Sequence, residues 1–569
     1  LARDSKVSRL ELSALSADQV AALIEASRSD IGPEQAMKES GGNPLYVLEL
    51  TRAKRANIEA STRTVDALIA DRLAPLDAPT RDLLSFAASI GRGFAPEQLA
   101  QLLDSPLPGI LSSLSELQRR GIVTAATQTE FDFAHDLVRQ TVYRMLPQPQ
   151  RRAIHHQIAR QLLAASKHDT RLHGEVVHHA TLAGDSRMTA SACVEASNQC
   201  LAVFATTEAR AVAERGLAHA RSLPQGSERV RVEIRLLTAR LVAVASSGDA
   251  CPASMEHEFE QAIQEAEALS LHAEVVEGLH SLSWLTQQAN DIERTRQVTI
   301  RAETAARKAD ATTRCKQLAV TGRCLLELER ELPRARCVLH EAGVLAERLN
   351  LRVVELMWGA ALLARAEGEL DIGCAQLSDA VRQARAIGDH WREYQCLVWL
   401  ATMNFERGAY FQVTQSAGSI VVAAQRMGDS GAPYAEVIRE IASMRLTSGD
   451  PRTFVFEGLD ALREADDKRH LCYALNEVAL TCLDCRCSDQ ASAHAREAIA
   501  VADVLDAPTE RIVARAVSVE AAFTAGEKER AERLLSSLRE LLSDKPITPR
   551  SHKALQRLFE RYPVTTTIV

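Results

Sequence analysis

At 569 residues the chain is too long for a single compact core, so several domains or a repeat array are expected. Its composition, 46% hydrophobic and 25% charged, is that of an ordinary soluble protein, and a formal net charge of −8 argues against a whole surface made for nucleic acid. No apolar run reaches the roughly 18 residues of a membrane helix and no secretory signal opens the chain, so a cytoplasmic protein is predicted.

The commonest residues indicate a mainly α-helical protein. Ala, Leu, Arg and Glu dominate, and these residues lose little conformational freedom in a helix. The first residue is Leu rather than Met, so we expect the chain to be a piece of a longer protein. The twelve cysteines lie mostly singly within apolar helical stretches, which predicts reduced, buried thiols.

Residues 1–60 predict short helices joined by an unusually sharp turn. Ser16 precedes an amphipathic run as a capping residue would, and Pro33 suits a first helical turn. The segment "ESGGNPLYVLEL" then places two glycines, an asparagine and a proline between two helices. This turn is the least ordinary local feature of the chain.

Residues 61–148 predict a winged helix. Three helical patterns, "APTRDLLSFAASIG", "APEQLAQLLD" and "LPGILSSLSELQRRG", come first. The alternating segment "IVTAATQTEFDF" turns around Thr127–Thr129 and predicts a β-hairpin, after which another helix follows. Three helices and then a two-stranded wing is the order of elements in a winged helix.

Residues 149–545 predict a solenoid of helical hairpins similar to tetratricopeptide (TPR) repeats. Turn-forming residues recur about every 40 residues, and further breaks fall between them. Seven residues before most of these markers stands a small residue, which would let helices approach closely. The markers are Gly248-Asp249, Asn290-Asp291, Glu331, Gly368, Gly408, Gly449, Ser488-Asp489 and Gly526, and the small residues are Ser283, Cys324, Ala361, Ala401, Ala442 and Thr481. Residues 546–569 fall out of register and predict a capping helix with a tail.

Three segments resemble the STAND class of signalling NTPases, as found in large LuxR-type ATP-binding regulators and in kinases or cyclases with attached ATPase modules. "GGNPLYVLEL" is similar to the turn of the helical lid, and "FDFAHDLVRQTVYRMLPQPQRRAIHHQIARQLL" is similar to the end of the winged helix. "GEVVHHATLAGD" is similar to the segment with which the helical repeats begin.

The resemblance implies a set of nucleotide contacts. Gly42, Asn43 and Pro44 would approach the nucleotide, with Pro44 on the adenine, and His135 would reach the β-phosphate of bound ADP. The residues themselves leave plainer alternatives open. The turn can simply join two helices, and His135 can cap the helix that follows the wing.

Two clusters contain residue types that bind metal ions. Cys482, Cys485 and Cys487 form a C-x-x-C-x-C pattern, but no second pair matches it, so they are weak metal or redox candidates. His178 and His179 lie near His173 without partners at ligand spacing, and helix packing is the better account of them. No metal is therefore predicted.

The sequence contains no G-x-x-x-x-G-K-[ST] loop and no catalytic constellation, so the chain is not expected to be an enzyme by itself. The resemblance implies that ATP or ADP is bound only together with an upstream NTPase core, which would make the full-length parent an NTPase. In that interpretation the solenoid senses a protein, peptide or small-molecule inducer, activation brings self-association, and an attached domain gives the output.

The alternative is a TPR-like scaffold whose winged helix binds DNA as a transcription regulator. The candidate recognition helix carries only Arg119 and Arg120, both at its C-terminal end. Groove readers place base contacts toward the helix N-terminus, so DNA binding through this part is disfavoured.

Overall fold

The structure is a computed structural model that describes residues 13–55, 65–91, 93–246, 251–252, 254–427, 432–447, 456–544 and 547–563. The chain divides into two compact units, Leu1–Ala192 and Cys193–Val569, called here the N-terminal unit and the C-terminal unit. The predicted domain boundaries at residues 60, 148 and 545 stay predictions.

The N-terminal unit is helical apart from one small hairpin. Its elements, in chain order, are α1 (Ala17–Ala26), α2 (Pro33–Ser40), α3 (Pro44–Arg55), α4 (Val65–Leu73), α5 (Ala78–Ile90), α6 (Pro96–Leu102), α7 (Leu107–Arg119), β1 (Val123–Ala125), β2 (Phe131–Phe133), α8 (Asp136–Met145), α9 (Gln148–Ala165), a 3-10 turn (Thr170–Leu172) and α10 (His173–Ala183). Helix α11 (Ser186–Ala202) contains the division between the units.

The predicted β-hairpin around Thr127–Thr129 is confirmed. Strands β1 and β2 pair antiparallel, with Val123 opposite Phe133. The backbone N–H and C=O of Phe94 are both hydrogen-bonded to the backbone of Phe131. The ring of Phe94 packs edge-on against that of Phe133, with 5.9 Å between ring centres. Leu114 of α7 is buried in the same core. Burial of the apolar sides of α5 and α7 against the hairpin thus holds this part together.

The C-terminal unit continues as helices alone in the described residues. They are α12 (Thr206–Arg221), α13 (Ser227–Ser246), α14 (Ser254–Ala268), α15 (His272–Gln288), α16 (Ile292–Ala306), α17 (Ala311–Glu327), α18 (Leu332–Leu349), α19 (Val354–Glu367), α20 (Leu370–Ala386), α21 (His390–Glu406), α22 (Tyr410–Arg426), α23 (Pro433–Thr447), α24 (Glu457–Glu464), α25 (Lys468–Asp484), α26 (Ser488–Val504), α27 (Pro508–Thr524), α28 (Lys528–Asp544) and α29 (Pro549–Arg561).

The predicted hairpin repeat is confirmed from α15 to α28. The first helices of successive pairs begin at His272, Ala311, Val354, His390, Pro433, Lys468 and Pro508, a repeat of about 40 residues. The predicted markers fall at the turns within pairs, where Asn290, Glu331, Gly368, Gly408 and Gly526 have left-handed backbone. Gly248-Asp249 and Gly449 lie outside the described residues. The six small residues that precede the markers are all buried.

The solenoid curves until two of its turns meet. The backbone N–H of Thr509, at the start of α27, donates to the Glu329 carboxylate at 2.9 Å, 180 residues earlier in the chain. Beside it, the Arg330 guanidinium donates to the Asp506 carboxylate at 2.5 Å. The first helices of the pairs face inward, and α29 lies across this inner face against α27, α25 and the end of α19.

Candidate functional site

The Gly41–Pro44 turn is closely fitted to its surroundings. Gly41 and Gly42 have φ angles of +57° and +77°. A Cβ on Gly42 would stand 2.5 Å from the carbonyl oxygen of Leu15, whose own N–H donates to the Gly42 carbonyl at 2.9 Å. Because a side chain meets both strain and a clash, this position requires glycine.

Asn43 and Pro44 begin the next helix. The Asn43 side-chain oxygen accepts from the N–H groups of Leu45 and Tyr46 at 3.0 and 3.3 Å, as a helix cap does. Pro44 is the first residue of α3 and is exposed. The two glycines and Asn43 therefore have structural tasks, whereas the ring of Pro44 is a free apolar surface.

His135 lies among charged residues of α3 and α4. It occupies the position before α8, but its side chain makes no capping hydrogen bond. Burial lowers the pKa of His135, and the nearby Arg52 and Arg72 guanidiniums lower it further, while Glu49 opposes them. The imidazole is therefore neutral at pH 7 and lies close enough to both guanidiniums for their charges to lower its pKa.

The charges around His135 form one cluster centred on Glu49. This carboxylate is 2% exposed and accepts from Arg52 at 2.6 Å and from Arg72 at 2.7 Å. Arg72 also donates to the carbonyl of Arg120 at the end of α7. The cluster thus ties α3, α4 and the end of α7 together.

The cluster offers donors that suit an anion. Two guanidiniums and an imidazole are groups that bind carboxylate or phosphate oxygens. Pro44 begins the helix that carries Glu49, about 7.5 Å away along the axis at 1.5 Å per residue. The predicted residues Pro44 and His135 thus belong to one connected region of the N-terminal unit.

Sequence reasoning missed Arg52 and Arg72. Glu49 lies within the segment "GGNPLYVLEL" as a charge in an apolar stretch, which signals a buried partner. The position of Arg72 carries no such signal, because it reaches Glu49 from another helix, 23 residues away.

Tyr143, His155 and His179 form a buried hydrogen-bonded chain. The Tyr143 hydroxyl lies 2.8 Å from Nε2 of His155, whose Nδ1 lies 2.9 Å from Nδ1 of His179. Burial lowers the pKa of His155 to about 4 and that of His179 to about 3. These contacts join α8, α9 and α10, in keeping with the packing role predicted for His179.

The three cysteines of the C-x-x-C-x-C pattern differ in burial. None of the twelve cysteines, all within the described residues, forms a disulfide, and seven are buried. Cys482 is one of these, and burial raises the pKa of its thiol to about 12, whereas Cys485 is exposed and Cys487 partly so. Among the residues that the structure describes, no three His, Cys, Asp or Glu side chains are grouped so that they could hold a metal ion.

The helix proposed as a DNA reader, α7, exposes uncharged residues at its N-terminal end. Pro108, Gly109 and Leu111 are exposed there, and at the other end Arg120 pairs with Glu116 at 2.7 Å. These contacts add no support to the DNA-binding alternative.

The inner face of the C-terminal unit lines a partly open cavity of about 800 Å³, within the range of small-molecule sites. Its apolar lining includes Leu325, Leu362 and Phe405, and α29 supplies Arg550 and Arg557. One wall is the contact between the Glu329 and Thr509 turns described above.

The charges in this cavity are matched in pairs. Arg365 holds Glu406 through two nitrogens, at 2.6 and 3.0 Å. Arg550 donates to Glu477 at 2.5 Å and to Glu510 at 2.8 Å, and its guanidinium stands over the Tyr473 ring at 4.2 Å. The cavity therefore has fixed polar groups among apolar walls, an arrangement that can orient a ligand.

No protein-family model matches the sequence, and no curated protein matches it. Solved structures do match it, 87 chains in all. A STAND protein with a tetratricopeptide repeat sensor from Pyrococcus horikoshii is 15% identical, with coverage of 99% of this chain and 76% of that one and a TM-score of 0.39.

Two further solved structures are similar to parts of the chain. The apo quorum sensor NprR from B. thuringiensis is 12% identical, over 58% of this chain and 98% of that one, with a TM-score of 0.36. A Rap protein complexed with competence and sporulation factor is 12% identical, over 62% and 99%, with a TM-score of 0.41. With identities and TM-scores this low, the description of the fold rests on the helices of this chain.

Within the described residues, no helix combines the length and the apolar character needed to cross a bilayer.

Proposed function

We propose that this chain is the regulatory part of a STAND-type, ATP-dependent signalling protein. The C-terminal unit would bind an inducer or partner protein on its inner face, and the N-terminal unit would gate the nucleotide state of an NTPase core upstream. The observation that carries the proposal is the partly open cavity of about 800 Å³ on the inner face of the repeats.

The sensor role is supported by how that cavity is built. Its lining includes Glu329 and Thr509, which lie in turns far apart in sequence and contact each other. Helix α29 contributes Arg550 to the lining. A ligand that contacts these walls favours one arrangement of the solenoid over another. Such differential affinity is what couples ligand binding to a change of state.

The gating role is supported by the residues around α3. Pro44 presents an exposed, rigid apolar ring, and His135 stands beside Arg52 and Arg72. A purine base on the proline and phosphate oxygens near the imidazole and guanidiniums would use both features. In this proposal ATP or ADP is bound only when the upstream core supplies its phosphate-binding loop.

The test uses the full-length parent with His135→Ala and Pro44→Ala. Each variant removes one proposed contact with ADP, so we expect it to retain at least several-fold less ADP through purification and to show raised resting activity. Bound nucleotide is measured after denaturation, and resting activity as output without inducer.

The matched control is His168→Ala, which removes an exposed histidine of the same unit. It should leave retained ADP unchanged. If the His135 and Pro44 variants both behaved like this control, the proposed nucleotide contact would be wrong.

A further inference from the structure

A second cavity, of about 520 Å³, lies on the inner face of the C-terminal unit. Its walls come from the inward helices α13, α15, α17, α19 and α21, with residues near the end of α11. It shares no lining residue with the 800 Å³ cavity.

Most of the chain's tryptophans lie in or next to the wall of this cavity. The sequence has only four tryptophans, and three of them lie together here. Trp284 and Trp391 line the cavity with ring centres 6.0 Å apart and planes at 75°, and Trp358 lies 6.2 Å behind Trp391. Phe204 and His390 add a further ring pair at 5.9 Å. The walls therefore form an aromatic corner in a chain that is 4% aromatic.

Three polar side chains of the lining have buried atoms without a hydrogen-bond partner. They are Nε of Arg323, Nδ1 of His280 and Nδ1 of His390. Arg323 is held in place, since its Nη1 donates to Glu327 at 2.6 Å and its guanidinium lies over the Trp358 ring at 4.5 Å. Burial and the charges of Arg323 and Arg392 lower the pKa of His280 to about 4, so its ring is neutral.

The charged side chains of the lining form ion pairs with neighbouring residues. Arg392 is paired with both Glu355 and Asp389, and Arg323 with Glu327 behind the wall. A ligand with a full charge would have to break one of these pairs and leave a charge unmatched in a partly buried site. This balance favours an uncharged ligand.

We propose that this cavity binds an uncharged, planar aromatic small molecule. Its rings pack into the corner of Trp284 and Trp391, where offset and edge-on contacts are both available. The inference rests on the proposed sensor role of the C-terminal unit and names a ligand class for it.

The test uses acridone, an uncharged tricyclic ketone that fluoresces at longer wavelengths than tryptophan. Its anisotropy is measured during titration with the whole chain, and we expect a dissociation constant on the order of 10 µM for a ligand of this size. Trp391→Leu should weaken binding at least tenfold, while Trp391→Phe, which keeps a ring, should lose about threefold or less.

Two controls show whether acridone binds in this cavity rather than elsewhere on the chain. Trp399→Leu removes the fourth tryptophan, which lines a different pocket, and should leave the affinity unchanged. A sulfonated acridone should bind more weakly because of its charge. Absence of acridone binding, or equal affinity for the wild-type chain and the Trp391→Leu variant, would overturn the proposal.

These outcomes are independent of the nucleotide test. A failure here leaves the retention of ADP in the parent untouched, and a failure of that test leaves acridone binding untouched. Circular dichroism of each variant shows that the helices are intact.

Discussion

At the scale of single residues, the buried chain of Tyr143, His155 and His179 has one consistent set of protons. If Tyr143 donates to Nε2 of His155, then Nδ1–H of His155 donates to Nδ1 of His179. Both rings are then neutral and every bond has one proton. Protonation of either ring would place two hydrogens in one bond or a charge in a buried site, which agrees with the lowered pKa values.

This chain of hydrogen bonds predicts that the N-terminal unit loses stability in mild acid. Above about pH 6.5 both histidines are neutral whether the unit is folded or unfolded. Below it the unfolded rings bind protons while the folded ones, with pKa values of about 4 and 3, do not. The free energy of unfolding should fall by roughly 2 kcal/mol per histidine at pH 5.

The measurement is hydrogen exchange of peptides from α9 and α10 at pH 7 and pH 5, corrected for intrinsic rates. His179→Asn should be less stable at pH 7 and should lose less on acidification than the wild-type chain. His168→Asn, an exposed control, should keep the wild-type pH dependence. An unchanged pH dependence in His179→Asn would contradict the assignment.

At the scale of elements, α29 is a basic helix held on an acidic inner face. Arg557 donates to Glu520 at 2.9 Å and to Asp484 at 2.7 Å, and Arg561 donates to Glu520 at 2.6 Å. Between these contacts Leu555 and Leu558 are buried. Its attachment therefore combines apolar burial with ion pairs around Glu520, which is 1% exposed.

The double variant Arg557→Gln and Arg561→Gln should release α29. It leaves Glu520 buried without a cationic partner, a cost of about 3–5 kcal/mol. Trypsin should then cleave after Lys553 at least tenfold faster than in the wild-type chain. The matched control is Arg533→Gln with Arg539→Gln on the exposed side of α28, which should cleave at the wild-type rate. Equal cleavage of both double variants would show that the ion pairs do not hold the helix.

Local features of the sequence were enough to predict the helices, the hairpin and the repeat. These features act over a few residues, so they can be recognised in the sequence without knowledge of the fold. Examples are the turn formers Gly368 and Gly408 and the alternation around Thr127. The place of α29 was not predictable in this way, since its partners Asp484 and Glu520 lie in other repeats. Nor was the aromatic corner, because Trp284 and Trp391 meet only when the curvature of the solenoid is known.

At the scale of the whole C-terminal unit, the contact between the Glu329 and Thr509 turns supplies a hydrogen-bond acceptor to the first turn of α27. The first N–H groups of a helix have no partner within it. Ala507, before α27, supplies no side-chain cap, and the Glu329 carboxylate accepts from Thr509 instead. A negative group also suits the positive end of the helix dipole. One distant carboxylate therefore caps α27 and, together with the Arg330–Asp506 pair, joins two turns of the repeats.

This contact predicts that Glu329→Ala loosens the start of α27 without unfolding the helix. Loss of the cap should cost about 1 kcal/mol and expose the Thr509 amide, so exchange over residues 505–512 should accelerate several-fold. Burial raises the pKa of the Glu329 carboxyl, which means that its charge is held at some cost. Glu329→Gln keeps an oxygen acceptor without that charge and should exchange like the wild-type chain.

Exchange mass spectrometry distinguishes these outcomes within one molecule. The turn between α27 and α28, around Gly526, is the internal control, since it lies at the other end of α27 and should exchange equally in all three proteins. Faster exchange at both ends of α27 in Glu329→Ala would mean that the helix itself unfolds. Faster exchange at residues 505–512 alone would mean that the Glu329 carboxylate stabilises this end of α27 and not the whole helix.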